Sequence, residues 1–274
     1  DMKADKLHNR FTTCLYALMF AVLPTITHAA DDVERVFIFG DSLSDAGNVF
    51  ELTGSVSTAP YLVVPIAPYD IGGRHFSNGK TWAERFAAEM ENNTGGKASL
   101  KKPGKNGNYA FGGARARTGT GGTPDASTQI AMYLGDHGVA DADALYVIQF
   151  GGNDLRDALV AAATDPGAAI AIIQAAIGDL ALNIQTLYAH APAIKLAGIS
   201  GVAGFFTGIY NGGLEGSVQQ LEQFLPGVVI HRLDMAGFVD AVVANQGAFG
   251  LSVTDVPCLS FFTEVGAICD DPGE

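Results

Sequence analysis

The feature that most constrains this chain is a recurring sequence of three parts. A short apolar run leads into a glycine-bearing polar turn, and a helical stretch follows. Val33–Phe39 (VERVFIF) runs into Gly-Asp-Ser, and Ala144–Phe150 (ALYVIQF) into Gly-Gly-Asn-Asp. Ala193–Ile199 (AIKLAGI) and Gly227–His231 (GVVIH) are two further runs of the same kind. Between and after them lie helical patterns. Asn78–Asn92 places Trp82, Phe86 and Met90 at i, i+4 and i+8, and Pro166 opens an alanine-rich stretch reaching about His190. Gly213–Phe224 and Asp234–Asn245 also read as helices. Strands buried on both faces read as continuous rather than alternating apolar runs, so the expected fold is α/β, a parallel sheet with helices on both faces. No internal repeat or long linker interrupts residues 30–274, which are expected to form one domain.

Residues 1–29 stand apart. Lys3, Lys6 and Arg10 precede a 13-residue apolar stretch, Phe11–Leu23, broken by Pro24 and followed by the small residues Ala29 and Ala30. That is the pattern of a secretory signal, and 13 residues fall short of the ~20 that a spanning helix needs. Farther along, Ala168–Ile177 comes closest to a membrane span, but it is short and contains Gln174, so no stable span is expected. An exported chain can hold disulfides, and Cys258 and Cys269 are the two cysteines left after residue 29, expected to bridge a short loop. The formal net charge of −13 repels phosphate backbones, which excludes nonspecific nucleic-acid binding. Asp1 precedes Met2 and the last residues form no closing helix, so the reading frame is expected to be incomplete, truncated at the C-terminus.

In open parallel sheets, function sits in the loops that leave the carboxyl ends of the strands. Ser42, at the mouth of the first strand, can serve as a nucleophile if a helix N-terminus follows and favours a developing anion. The same position equally suits a serine that caps that helix. Asn153, in the Gly151–Asp154 loop, offers an amide donor of the kind an oxyanion hole uses, and an Asx turn would explain it as well.

The residues in these loops resemble the GDSL, or SGNH, family of serine esterases and lipases. Phe37–Asn48 (FIFGDSLSDAGN) looks like its first block, Asn108–Ala114 (NYAFGGA) its second and Gly151–Asp154 (GGND) its third. Arg74–Trp82 resembles a G-R-x-S-N-G-x-x-W segment of secreted members. The resemblance implies a flavodoxin-like, three-layer fold. It also implies Ser42 as nucleophile, with Gly113 and Asn153 completing the oxyanion hole beside the N–H of Ser42. The usual spacing of the second block selects Gly113, with Gly112 as the alternative. The family's Asp-x-x-His block, which supplies the base and its orienting carboxylate, has no counterpart after residue 29, and it is expected just beyond Glu274. His75 and His231 are the histidines weighed as a substitute base, with His231 at the end of its strand the better placed.

Other motifs fail on spacing. Gly73 stands six residues before Gly79, one too many for a phosphate loop, and no Gly-x-Ser-x-Gly elbow occurs. The histidines lack ligand spacing, so neither a metal nor a cofactor is expected. The expected activity is hydrolysis of carboxylic esters, on a small ester or lipid substrate, through an acyl-enzyme on Ser42. A binding protein that lost its base, and the passenger domain of a surface-displayed esterase, are the alternatives. Gly198–Tyr210, with Phe205, Phe206 and Tyr210, is either an apolar lipid-facing patch or a buried loop on the sheet edge.

Overall fold

The computed structural model describes residues 33–54, 75–77, 79–190, 195–200 and 205–250. All of them belong to one of the two units into which the chain divides, Val33–Glu274. The signal region, Arg74 and Asn78 of the Arg74–Trp82 segment and the two late cysteines lie outside the described residues.

Strand β1 is Arg35–Gly40, β2 Ala144–Gln149, β3 Lys195–Ser200 and β4 Val229–Asp234. They form a parallel sheet in the order β1-β2-β3-β4. Their apolar runs are continuous because the inner strands are buried on both faces: every residue of β2 is buried, as are the last five of β1. On the free side of β1, Gly107–Phe111 lies parallel to it. Ile38 N–H donates to Gly107 O at 2.9 Å, Tyr109 N–H to Ile38 O at 2.7 Å and Phe111 N–H to Gly40 O at 3.1 Å. With this extended segment counted, the order across the sheet is second, first, third, fourth, fifth along the chain.

The helices are α1 (Asn48–Thr53), α2 (Trp82–Glu89), α3 (Ala126–His137), α4 (Gly152–Ala162), α5 (Pro166–His190), α6 (Phe205–Phe224) and α7 (Met235–Ala244). Alternate residues of β1 and β2 feed two separate cores. Phe37, Phe39, Tyr146 and Ile148 pack with Tyr133 of α3, Leu155 of α4, Ile173 of α5 and Tyr210 of α6. Val36, Ile38, Leu145 and Val147 pack instead with α2. On α2 the alanines Ala83 and Ala87 go deepest, and the expected stripe of Trp82, Phe86 and Met90 is only half-buried around them. Small residues let this short helix approach the sheet closely.

Several boundaries differ from the sequence reading. Strand β4 runs on to Asp234 rather than ending at His231, and α6 begins at Phe205 rather than Gly213. Helices α1, α3 and α4 were not foreseen. Helix α5 reaches 25 residues and, by length and composition, is long and apolar enough to cross a bilayer, contrary to the reading of Ala168–Ile177 alone. Its row of Ala169, Ile173, Ala176, Leu180, Ile184 and Leu187, spaced by three and four, is buried in the core. Tyr210 sits in α6 rather than in a loop and is buried; its ring lies where a side chain on Gly151 would be, 2.7 Å from the nearest ring atom. Gly151 also has φ +122°, so both space and backbone demand glycine there.

Candidate active site

Three loops meet at the carboxyl ends of β1, β2 and the Gly107–Phe111 segment. Polar side chains hold them together. Gln129 of α3 clamps the last residue of β1: Gly40 N–H donates to its Oε1 at 3.0 Å, and its Nε2 donates to Gly40 O at 2.9 Å. Gln149, at the end of β2, accepts from Ser44 Oγ at 2.8 Å and donates to Asp41 Oδ2 at 3.3 Å. Asn108 Nδ2 donates to Ser44 O, and Asn48 Nδ2 donates to the carbonyls of Asn108 and Ala110.

Asp45 is the hub. Its fully buried carboxylate accepts from the N–H groups of Gly47, Asn48 and Val49, which open α1, and from Gly112 at 2.8 Å. Burial pushes this carboxyl up, and the four N–H donors pull it back toward the charged form. Asp41 is buried too. Burial raises its pKa to about 6, reinforced by the nearby charge of Asp154 and opposed by the Leu43 N–H and Gln149.

Within this frame Ser42 is half-buried, between the buried Asp41 and the exposed Leu43. Neither its hydroxyl nor its N–H has a hydrogen-bond partner among the described residues. It does not cap a helix. Helix α1 starts six residues later, is capped by Gly47, and takes its side-chain acceptor from Asp45. The helix dipole invoked for Ser42 from sequence is therefore not adjacent to it.

The two glycines of the second block differ in one bond. The N–H of Gly112 is committed to Asp45, whereas that of Gly113 has no partner among the described residues. Gly113 has φ +81°, a conformation that turns the chain sharply and suits glycine alone. Asn153 lies in the first turn of α4, not in a loop, and it forms no Asx turn. One hydrogen of its amide goes to Ala114 O at 2.8 Å, which leaves the second available. Asp154 beside it is buried and accepts from Ala116 N–H at 2.8 Å and Arg117 Nε at 2.9 Å.

Of the two histidines weighed as a base, His75 is paired with a carboxylate of α2 and His231 lies on a distant strand. His75 is buried, with its Nε2 3.0 Å from Glu84 Oε2 in the first turn of α2. His231 is exposed, opposite Ala197 in the middle of β4, three strands from β1 and so about 14 Å across the sheet. Extension of β4 to Asp234 removes His231 from the strand's end. Among the described residues no group of three or more His, Cys, Asp or Glu side chains could hold a metal ion. The residues that sequence reasoning passed over are the scaffolding ones, Gln129 and Gln149 above all. A glutamine inside the apolar run ALYVIQF is a visible signal, because a buried amide must find partners.

No curated protein sequence matches the chain. Among solved structures, a family two carbohydrate esterase from Clostridium thermocellum, in complex with cellohexaose, is 15% identical. It aligns over 74% of this chain with a TM-score of 0.41, and this chain spans only 55% of its length. Phospholipase A1 from Streptomyces albidoflavus NA297 is also 15% identical, over 85% of this chain and 90% of its own, with a TM-score of 0.36. A sequence model of the GDSL-like lipases and acylhydrolases matches residues 36–262, most of the chain. The chain belongs to the GDSL-like lipase/acylhydrolase family.

Proposed function

We propose that the protein is an exported carboxylic ester hydrolase with Ser42 as its nucleophile and the N–H of Ser42, the N–H of Gly113 and the side chain of Asn153 as oxyanion donors. The observation that carries the reading is the distribution of hydrogen bonds at the ends of β1 and β2. Around Ser42 the buried polar atoms are tied up, while the Ser42 hydroxyl, the Ser42 and Gly113 amides and one hydrogen of Asn153 are left uncommitted. The Ser42 oxygen attacks the ester carbonyl carbon, its proton passes to a base, and the carbonyl π electrons move onto the oxygen. The three donors receive that oxyanion, each typically contributing 10²–10³ in rate. Collapse expels the alcohol and leaves an acyl group on Ser42, which water hydrolyses. Residues 30–274 contain no Asp-x-x-His, so the proposal concerns the nucleophile and the oxyanion donors.

Export is inferred from the basic-then-apolar pattern of residues 1–29, and the substrate is taken as a small ester or lipid without a metal or cofactor. The three-layer, flavodoxin-like arrangement is supported by the strand order with Gly107–Phe111 included and by the two cores on opposite faces of β1 and β2. Labelling with a fluorophosphonate tests the nucleophile. In a protein that also carries the family's Asp-x-x-His base, the wild type takes up the probe and Ser42→Ala does not. Labelling that survives in Ser42→Ala excludes Ser42, and a wild-type chain that binds an ester but never reacts with the probe is a binding protein instead.

A further inference from the structure

The Gly113 amide can act as an oxyanion donor only if its peptide is held still, yet glycine is the residue least able to hold itself. The carbonyl on the other side of its Cα, in the Gly113–Ala114 peptide, is gripped by a side chain from two residues away. Arg115 Nη1 donates to Gly113 O at 2.9 Å. The same guanidinium is fastened to α4 by a two-pronged pair with Asp157, Nε to Oδ2 and Nη2 to Oδ1, both at 3.0 Å. Asp157 lies one helical turn after Asn153, the other donor, and it also accepts from Arg117 Nη2. Arg117 Nε in turn reaches Asp154 at 2.9 Å. Burial raises the Asp157 carboxyl, but Arg115, Arg117 and Arg156 outweigh it and keep it below the usual carboxylate range.

Resting on the proposed nucleophile and oxyanion hole, we infer that Arg115 and Asp157 are positioning residues. They form a clamp that fixes the Gly113–Ala114 peptide, the one following the peptide that carries the Gly113 N–H, to the helix carrying Asn153, and so limits rotation about Gly113 and keeps the two donors in one geometry with respect to Ser42. Three features favour this role over a general stabilising one. Arg115 uses three nitrogens on two targets, and one of the targets is the carbonyl of the oxyanion glycine itself. The pair is bidentate, which fixes the orientation of the guanidinium as well as its charge. The other ties of this loop, Gly112 to Asp45, Ala114 to Asn153 and Ala116 to Asp154, hold its neighbours but leave the Gly113 carbonyl to Arg115 alone among the described residues.

The test is saturation kinetics of fluorophosphonate labelling on the full-length protein with the Asp-x-x-His base present, wild type against Arg115→Met and Asp157→Asn, with Ser42→Ala as reference. A displaced donor is expected to lower the limiting labelling rate 10- to 100-fold while half-saturation stays within threefold. The fraction of chain finally labelled and the melting temperature stay close to wild type. A merely structural clamp would lower the labelled fraction and the melting temperature and leave the limiting rate of the labelled fraction unchanged, which overturns the inference. Arg115→Lys, which keeps the charge but loses the fork, supplies the same readout if Arg115→Met fails to fold, and an unchanged limiting rate there is equally fatal. Labelling that persists in Ser42→Ala, or is absent from wild type, removes the nucleophile assignment itself and is thereby told apart from failure of the clamp.

Discussion

The two sides of the sheet solve the problem of stability differently. Around the carboxyl ends of β1 and β2, the buried polar side chains of Asp41, Ser44, Asp45, Asn48, Asn108, Gln129, Gln149 and Asp154 all carry hydrogen bonds. At β4, only Ile230 is buried, and Val229, Leu233 and Phe238 are about half exposed. There the polar ties are surface pairs, Arg232 with Glu222 at 2.6 Å and with Glu215 at 3.2 Å. Buried polar groups fix geometry because an unmet partner is costly inside, and water offers no substitute. Exposed pairs trade one solvent contact for another. The region proposed to hold a reactive geometry is thus the one built from satisfied interior polarity.

The sharpest way to break this contrast is at its hub. Asp45→Ala orphans four N–H donors at once, and at about 1–3 kcal/mol per buried unsatisfied group the loss should reach about 4 kcal/mol even after partial relaxation. For a domain of this size that is roughly 8–16 °C in melting temperature, measured by thermal denaturation. A shift below 3 °C would mean that the network is not what holds these loops.

The next effect is a pH dependence. Asp41 titrates near 6 in the fold against an ordinary 3.8, so the fold favours its neutral form. Its contribution is therefore fully present below about pH 4 and lost as pH rises through about 6, at most about 3 kcal/mol. Between pH 4 and pH 7 the wild-type melting temperature should fall relative to that of Asp41→Asn. Parallel curves for the two proteins would show that Asp41 is ionised at little cost.

The smallest effect is expected at the other edge. Arg232→Ala removes both surface pairs and should change stability by less than about 1 kcal/mol, and by less still in high salt. A loss comparable to that of Asp45→Ala would erase the distinction between the two regions.

Much of the architecture was legible because it depends on local patterns. Continuous apolar runs gave the four strands within two or three residues at their ends, and the alanine-rich stretch opened by Pro166 gave α5 to His190. Helix α4 was missed because Gly151-Gly152 reads as a turn, yet the second glycine already belongs to the helix that carries Asn153. Helix α3 carried a signal that went unread: Asp125 accepts from Thr128 N–H as a helix cap, ahead of Ile130 and Tyr133. The Gly107–Phe111 segment has no strand pattern of its own, and it is extended because β1 supplies its partners.

By itself the sequence determined the four strands, helices α2 and α5 to α7, the place of Ser42 at the end of β1, and the family blocks, all of which depend on residues close together in the chain. Only the tertiary structure decided which polar atoms are spoken for. Gly112 and Gly113 are alike in sequence. They part company because the carboxylate of Asp45, 67 residues away, takes the amide of one and leaves the other free. A hydrogen bond is a matter of ångströms and angles between distant segments, and no local pattern of residue types contains it.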